Sequence, residues 1–409
     1  MYIRLKHFLF SSVLLLLIAA CNGHDDPVPT PSGASRTVLV YVVADNSLSS
    51  FASDDINEMM AGMKQVDESL CNLLVYVDDK STPVLYRLTK DNKGVVTKQV
   101  VKSYSEQDST DPMVMKEVVN QSFGKYPADS YGLVYWSHGE GWLPISQTRS
   151  AVSTRWVGQD TDDGHGGTHY MNISELASVL RVTPHLDFLL FDACFMFSVE
   201  VAYELRDYAN YLIASPTEIP GPGASYDYLV PAMLSTEKAG DDGAKSIASA
   251  YYDPYASTYN SSVNNTNNNW TSGVSVGVVK TSELENLANA TKNILPSSVD
   301  NAALAASIFN YDKRSSSSYS FVGYYDLLGL AKQITSSGAF TTWKFAFDKA
   351  VIYWKTTPTN YSQFIGGNFS MEETSGLSHY IPLIANSKAA VAYRTCAWYT
   401  AAGWDKIGW

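Results

Sequence analysis

Along the chain, runs that are apolar at every position alternate with stretches whose apolar residues recur every third or fourth place. The first pattern fits strands buried on both faces of a sheet, and the second fits helices with one buried face. "TVLVYVVADNS" (37–47) predicts a buried strand ending in turn residues, and "FASDDINEMMAGM" (51–63) predicts a helix with Ile56, Met59, Met60 and Met63 on one face. "LCNLLVYVDD" (70–79) predicts a second buried strand, with Cys71 as a packed core residue. "VLYRLTK" and "VVTKQVV" around "DNKG" predict a β-hairpin, and "DPMVMKEVVNQSFGKY" (111–126) predicts a helix capped by Asp111 with Pro112 at its first position.

The alternation continues with a strand "YGLVYWS" (131–137), a helix "NISELASVLR" (172–181) capped by Asn172, and a strand "LDFLLFDAC" (186–194). A helix "SVEVAYELRDY" (198–208) and a strand "ANYLIASPTE" (209–218) follow. Repeated strand–helix–strand order with doubly apolar strands predicts an α/β fold, a mostly parallel central sheet covered by helices on both faces. Residues 236–409 are less regular. They contain an Asn-rich loop (259–270), a strand "GVSVGVV", helices "TSELENLANATKNIL" and "YYDLLGLAKQI", and a strand "GLSHYIPLI", read as a C-terminal α/β extension.

One strand breaks its own pattern. Within "LLFDACFMF" (189–197) a carboxylate, Asp192, stands two residues before a thiol, Cys194, where aliphatic residues would pack better. Another strand, "YGLVYWS", runs into "HGEGW" (138–142). In parallel sheets ligands bind beyond the carboxyl ends of strands, so His138 and Cys194 are expected to face one cleft. A thiol needs a neighbouring base to attack an acyl carbon, and His138 can supply it. Gly139 lets the backbone come close to a ligand, so its N–H and that of Cys194 can hold an oxyanion. Asp192 shares the side of its strand with the thiol and can line a pocket for a cationic side chain.

Composition narrows the class. The apolar fraction of 45% can fill a large core, and the formal charge of -12 with no Lys/Arg run excludes a nucleic-acid binder. "MYIRLKHFLFSSVLLLLIAAC" has a basic start, an apolar stretch too short to span a membrane, and small residues before Cys21. It reads as an export signal over residues 1–20. "IAAC" resembles a bacterial lipobox in which Cys21 is lipid-modified. The Pro/Ser-rich stretch that follows then makes residues 21–35 an anchor and tether to a bacterial, outer, membrane and the cell surface. Three cysteines remain in the body, Cys71, Cys194 and Cys396, with wide spacings and no C-x-x-C. An odd number in an exported chain leaves at least one thiol free, which fits a nucleophile.

"DTDDGHGGTH" (160–169) offers Asp160, Asp162, Asp163, His165 and His169 as metal ligands. An EF-hand loop from Asp160 fails because its twelfth position is Met171 rather than Glu. A solvated turn is the expectation, with no metal or cofactor assigned and calcium as the alternative.

Taken together, "YPADSYGLVYWSHGEGW" (126–142) and "LDFLLFDACFMFSVEVAYELRDYANYLIASPTEIPG" (186–221) resemble the clostripain family of clan-CD cysteine peptidases, relatives of caspases, gingipains and legumain. "VYVVADNSLSSFASDDINEM" (40–59), "SGLSHYIP" (375–382) and "WYTAAGWDKI" (398–407) extend the resemblance over nearly the whole chain. It implies a caspase-like αβα sandwich, with a catalytic core at 36–235 and the α/β region at 236–409 packed on it. It also implies His138 as general base and acid, Cys194 as nucleophile, Gly139 and Cys194 as oxyanion donors, and Asp192 as selector of Arg or Lys before the cut. Several relatives are cleaved between the His and Cys segments, and Arg149 and Arg155 are the only Lys or Arg residues between His138 and the 172–181 helix. The segment "SPTEIPGPGASYDY" (215–228) departs from the family in the pocket wall, so peptidases selecting Asn, Asp or a small residue stay open, as does a structural role for Asp192. A silent surface-binding lipoprotein is the reading from another class. The expected partners are peptide or protein substrates and a membrane through Cys21, with the protein a monomer.

Overall fold

The structure is a computed structural model and describes residues 33–143, 156–162, 164–262, 271–316, 318 and 321–409. Its centre is a nine-stranded sheet. In chain order the strands are β1 (Ala34–Val43), β2 (Cys71–Asp78), β3 (Val84–Lys90), β4 (Val96–Ser103), β5 (Ala128–Trp136), β6 (Leu186–Asp192), β7 (Ala209–Ala214), β8 (Ser275–Lys280) and β9 (Val351–Thr356). Across the sheet they lie in the order β9-β8-β7-β6-β5-β1-β2-β3-β4. The middle strands β2, β1, β5, β6 and β7 run parallel, while β3, β4, β8 and β9 pair antiparallel at the two edges. The parallel centre matches the doubly apolar runs, because both faces are covered there.

Strand alternation divides the core in two. Leu39, Tyr41, Leu133, Tyr135, Leu189 and Phe191 pack on one face against helices α2 (Pro112–Lys125), α3 (Ile173–Leu180) and α4 (Val199–Leu205). Val38, Val40, Val42, Val134 and Leu190 pack on the other against α1 (Ser49–Met63), α5 (Tyr226–Leu234) and α6 (Gly240–Thr258). The result is the three-layer αβα sandwich expected. Local signals set the helix starts: Asp111 accepts the Met113 N–H, and Asn172 with Glu175 forms a capping box.

Differences from the sequence reading fall at strand ends and in the C-terminal region. The 186–194 strand stops at Asp192, and the 209–218 strand stops at Ala214. Of "GLSHYIPLI" only Ser378–His379 pairs, in a small two-stranded sheet with Tyr325–Asp326. The helix Ser337–Ala350, the edge strand β9 and the hairpin Thr359–Ser362/Gly367–Ser370 were not anticipated. The local pattern around α6 is weak as well, since it carries Gly243 and an internal Pro254. These elements take their conformation from packing on the sheet more than from their own periodicity.

Candidate active site

β5 and β6 are neighbouring parallel strands in register, with Trp136 opposite Asp192. His138 and Cys194 each lie two residues beyond that pair, so the sheet delivers both to the same edge. The strand order also reverses between β1 and β5, which opens a crevice at their carboxyl ends. There a cavity of about 460 Å³ is lined by His138, Cys194, Asp192, Ser47, Trp136 and Glu218, among others. The sequence-predicted trio therefore shares one cavity.

The thiol sits in a turn rather than on a strand. Phe195, directly after it, has φ 61°, the left-handed region that a bulky residue seldom occupies. Its N–H donates to the Thr217 carbonyl at 3.0 Å, which binds the turn to the segment beyond β7. From that segment the Ile219 N–H donates to Cys194 Sγ at 3.4 Å. Burial pushes the thiol up to about 12, with the carboxylates of Glu218, Glu140 and Asp192 adding to the rise and the Ile219 N–H opposing it. Burial also lowers the His138 imidazole, against the pull of Glu140. Both shifts favour the uncharged forms, a thiol and an imidazole, the pairing in which a base can take a proton from sulfur.

His138 Nε2 lies 2.8 Å from Ser47 Oγ, in the turn after β1. Sequence reasoning missed Ser47. A signal existed, because β1 and β5 are neighbours and the "DNS" turn had to border the histidine. Gly139 packs against the Cys194 turn: a Cβ there would meet the Cys194 carbonyl oxygen at 2.7 Å, Ala193 Cβ at 2.9 Å and the Cys194 nitrogen at 3.2 Å. Among the described residues, neither the Gly139 nor the Cys194 N–H donates to another group.

Asp192 is 2% exposed and accepts three hydrogen bonds, from Tyr251 Oη (2.6 Å), Tyr226 Oη (2.9 Å) and the Ala224 N–H (3.0 Å). Burial raises its pKa, and these three donors oppose the rise. Gly223 closes over it, since a Cβ there would stand 2.6 Å from Oδ2. Behind Trp136 a second buried carboxylate, Asp55, accepts the indole N–H at 2.7 Å. Burial and the Asp192 charge push Asp55 up to about 9.

The other candidates separate from this site. Asp160 is buried and accepts from the N–H groups of Ser109 (2.7 Å) and Asp162 (3.1 Å), while His169 Nδ1 lies 3.4 Å from Asp108. Asp163 lies outside the described residues, and among those described no group of three or more His, Cys, Asp or Glu is arranged to hold a metal. Cys71 is a core residue whose thiol donates to the Leu234 carbonyl at 3.3 Å. Cys21, Arg149 and Arg155 lie outside the described residues. Among the described residues no helix is long and apolar enough to cross a membrane.

Comparison with known proteins gives the family of the chain. The chain is 30% identical over 216 residues to clostripain of Hathewaya histolytica, a match covering 47% of this chain and 40% of that protein's length. It superposes with a TM-score of 0.81 and 46% identity on a secreted C11 cysteine protease from Bacteroides thetaiotaomicron, solved in complex with an irreversible peptide inhibitor; 91% of this chain and 100% of that one are covered. An inactive zymogen C11 protease from Parabacteroides distasonis gives 0.74 and 30%, over 91% and 99% of the two chains. The sequence profile of the clostripain family matches residues 40–409, and the chain belongs to that family of cysteine peptidases.

Proposed function

We propose that the protein is an exported cysteine endopeptidase that cuts after Arg or Lys. Cys194 is its nucleophile and His138 its general base and acid. The observation that carries this is the common cavity: a thiol, an imidazole and a buried carboxylate, two of them delivered by adjacent strands in register. His138 takes the thiol proton as Cys194 Sγ bonds to the peptide carbonyl carbon, and the resulting oxyanion accepts from the N–H groups of Gly139 and Cys194. Collapse breaks the C–N bond while His138 returns the proton to the leaving amine. His138 then deprotonates water, which hydrolyses the thioester and restores the thiol.

Asp192 supplies the selectivity. Its partners are two phenols and one amide N–H, and among the described residues no Lys or Arg pairs with it. A substrate guanidinium or ammonium entering the cavity supplies the missing counter-charge. The same three donors favour a second reading, in which Asp192 only braces the pocket wall and another residue type is selected. Fluorogenic peptides with Arg, Lys, Asn or Asp before the scissile bond separate the two. Cys194→Ala should abolish all turnover, and Asp192→Ala should remove turnover of the Arg and Lys peptides. Arg turnover that survives Asp192→Ala removes the selector role and leaves the nucleophile intact.

Self-cleavage after Arg149 or Arg155 and lipidation of Cys21 belong to the same proposal. Intact-mass measurement of wild type beside Cys194→Ala tests the first, since only wild type should lose continuity between His138 and Cys194. Metabolic labelling with a fatty-acid analogue, with Cys21→Ser as the unlabelled control, tests the second.

A further inference from the structure

Arg314 lies far along the chain from both catalytic motifs, yet it is buried beside them. Its side chain is only 6% exposed and forms ion pairs with Glu140 at 2.7 Å and Asp312 at 2.6 Å. Glu140 is the residue after His138–Gly139. The guanidinium carbon stands 5.2 Å from the ring centroid of Phe195, the residue after Cys194, and 4.4 Å from that of Phe364. Phe364 belongs to the 359–370 hairpin, whose Tyr361 and Gln363 line the cavity.

Tyr324 adds a second tie between the same loops. Its hydroxyl donates to the Glu140 carbonyl at 2.5 Å, and its ring stacks on Phe195 with centroids 5.4 Å apart. Gly141 allows this approach, because its φ is +91° and a Cβ would fall 2.1 Å from the Tyr324 hydroxyl oxygen. Asp312, itself fully buried, accepts from the Val322 and Gly323 N–H groups and so anchors the guanidinium to the loop that carries Tyr324.

We infer that Arg314 is a positioning residue for the peptidase reaction, a cation that locks the His138 loop, the Cys194 turn and the cleft-edge hairpin into one arrangement. This rests on the reading of His138 and Cys194 as the catalytic pair. It touches no substrate atom and acts in two ways. Geometrically, it fixes the residues that follow each catalytic side chain, where small displacements are costly in rate. Electrostatically, it balances Glu140, whose charge opposes ionisation of the Cys194 thiol and favours the imidazolium of His138. The charged and titratable groups facing this cluster are Glu140 with His138 and Tyr170 near it, Asp312 with Lys313 and Tyr325 near it, Glu218 and, through Cys194, Asp192.

The test is the pH profile of kcat/KM for wild type, Arg314→Met, Arg314→Lys and Glu140→Gln, with thermal melting to verify folding. Arg314→Met should lower kcat by roughly 10- to 100-fold with KM little changed, and it should move both limbs of the profile to higher pH by about half a unit. Arg314→Lys keeps the charge and loses the fork, so the limbs should stay in place while kcat falls. Glu140→Gln should move both limbs to lower pH, and as an isosteric change it tests the charge balance even if Arg314→Met does not fold. Limbs that coincide with wild type in Glu140→Gln, or wild-type kcat in folded Arg314→Met, overturn the inference. Retained activity in Cys194→Ala would instead overturn the catalytic assignment, so the two failures are distinct.

Discussion

Ser47 Oγ lies 2.8 Å from His138 Nε2, which ties the turn after β1 to the turn after β5 across the switch point of the sheet. The hydrogen bond fixes the imidazole in one orientation and assigns a role to one of its two nitrogens. A neutral hydrogen bond of this kind is worth about 1 kcal/mol. Ser47→Ala is therefore expected to lower kcat by about three- to tenfold with KM unchanged, and Ser47→Thr should restore most of it. Steady-state kinetics on an Arg peptide decides the point; equal kcat in all three proteins would remove Ser47 from the machinery.

Gly139 is the residue whose replacement separates catalysis from folding. A methyl group there meets the backbone of Cys194 and the Cβ of Ala193 at 2.7–3.2 Å, so the two N–H donors of the proposed oxyanion site must move apart. Gly139→Ala should lose roughly 100-fold in kcat, the scale of one lost oxyanion donor. Its melting temperature should stay within a few degrees of wild type. A variant with native kinetics would show that these N–H groups do not hold the oxyanion.

The thiol of Cys194, raised to about 12 by burial, stays protonated in the free protein through neutral pH. Alkylation by iodoacetamide, which requires thiolate, should then rise about tenfold per pH unit between pH 6 and 9. Cys194→Ala provides the background from Cys396, which is half-buried. A rate already constant above pH 6 would mean that a thiolate–imidazolium pair pre-exists in the resting protein.

Asp55 gives a stability prediction with a definite sign. Its folded-state pKa is about 9 against an ordinary value of 3.8, so the folded protein holds a proton that the unfolded chain releases. The stabilisation is complete below the unfolded value and is lost as pH rises through the folded one. Asp55→Asn keeps a carbonyl acceptor for the Trp136 indole and has no proton to lose. The urea midpoint of wild type should fall from about pH 4 to 9, and that of Asp55→Asn should fall less steeply. Parallel curves would show that Asp55 is not the titrating group.

Much of the site was legible because its two proposed catalytic residues follow directly on apolar strands. A run such as "LDFLLFD" has no stable place except inside a covered sheet, and once it is there the residues after it must emerge at the sheet edge. The misfit of Asp192 and Cys194 in that run marked where β6 stops, although the strand proves two residues shorter than the apolar pattern suggested. The donors that surround Asp192 were not legible. Tyr226 and Tyr251 come from α5 and α6, and nothing in their local sequence says that both phenols turn toward one carboxylate.

By itself the sequence determined the alternation of strands and helices, the parallel sheet centre and the strand-end placement of His138 and Cys194. These follow from periodicity, capping and turn chemistry, which act over a few residues. Only the tertiary structure decided that Ser47 meets His138, that Arg314 meets Glu140 and Phe195, and that the 359–370 hairpin borders the cleft. Those contacts join segments far apart in the chain. They are set by shape, burial and charge pairing once the sheet has assembled, and they leave no repeating trace in the chain.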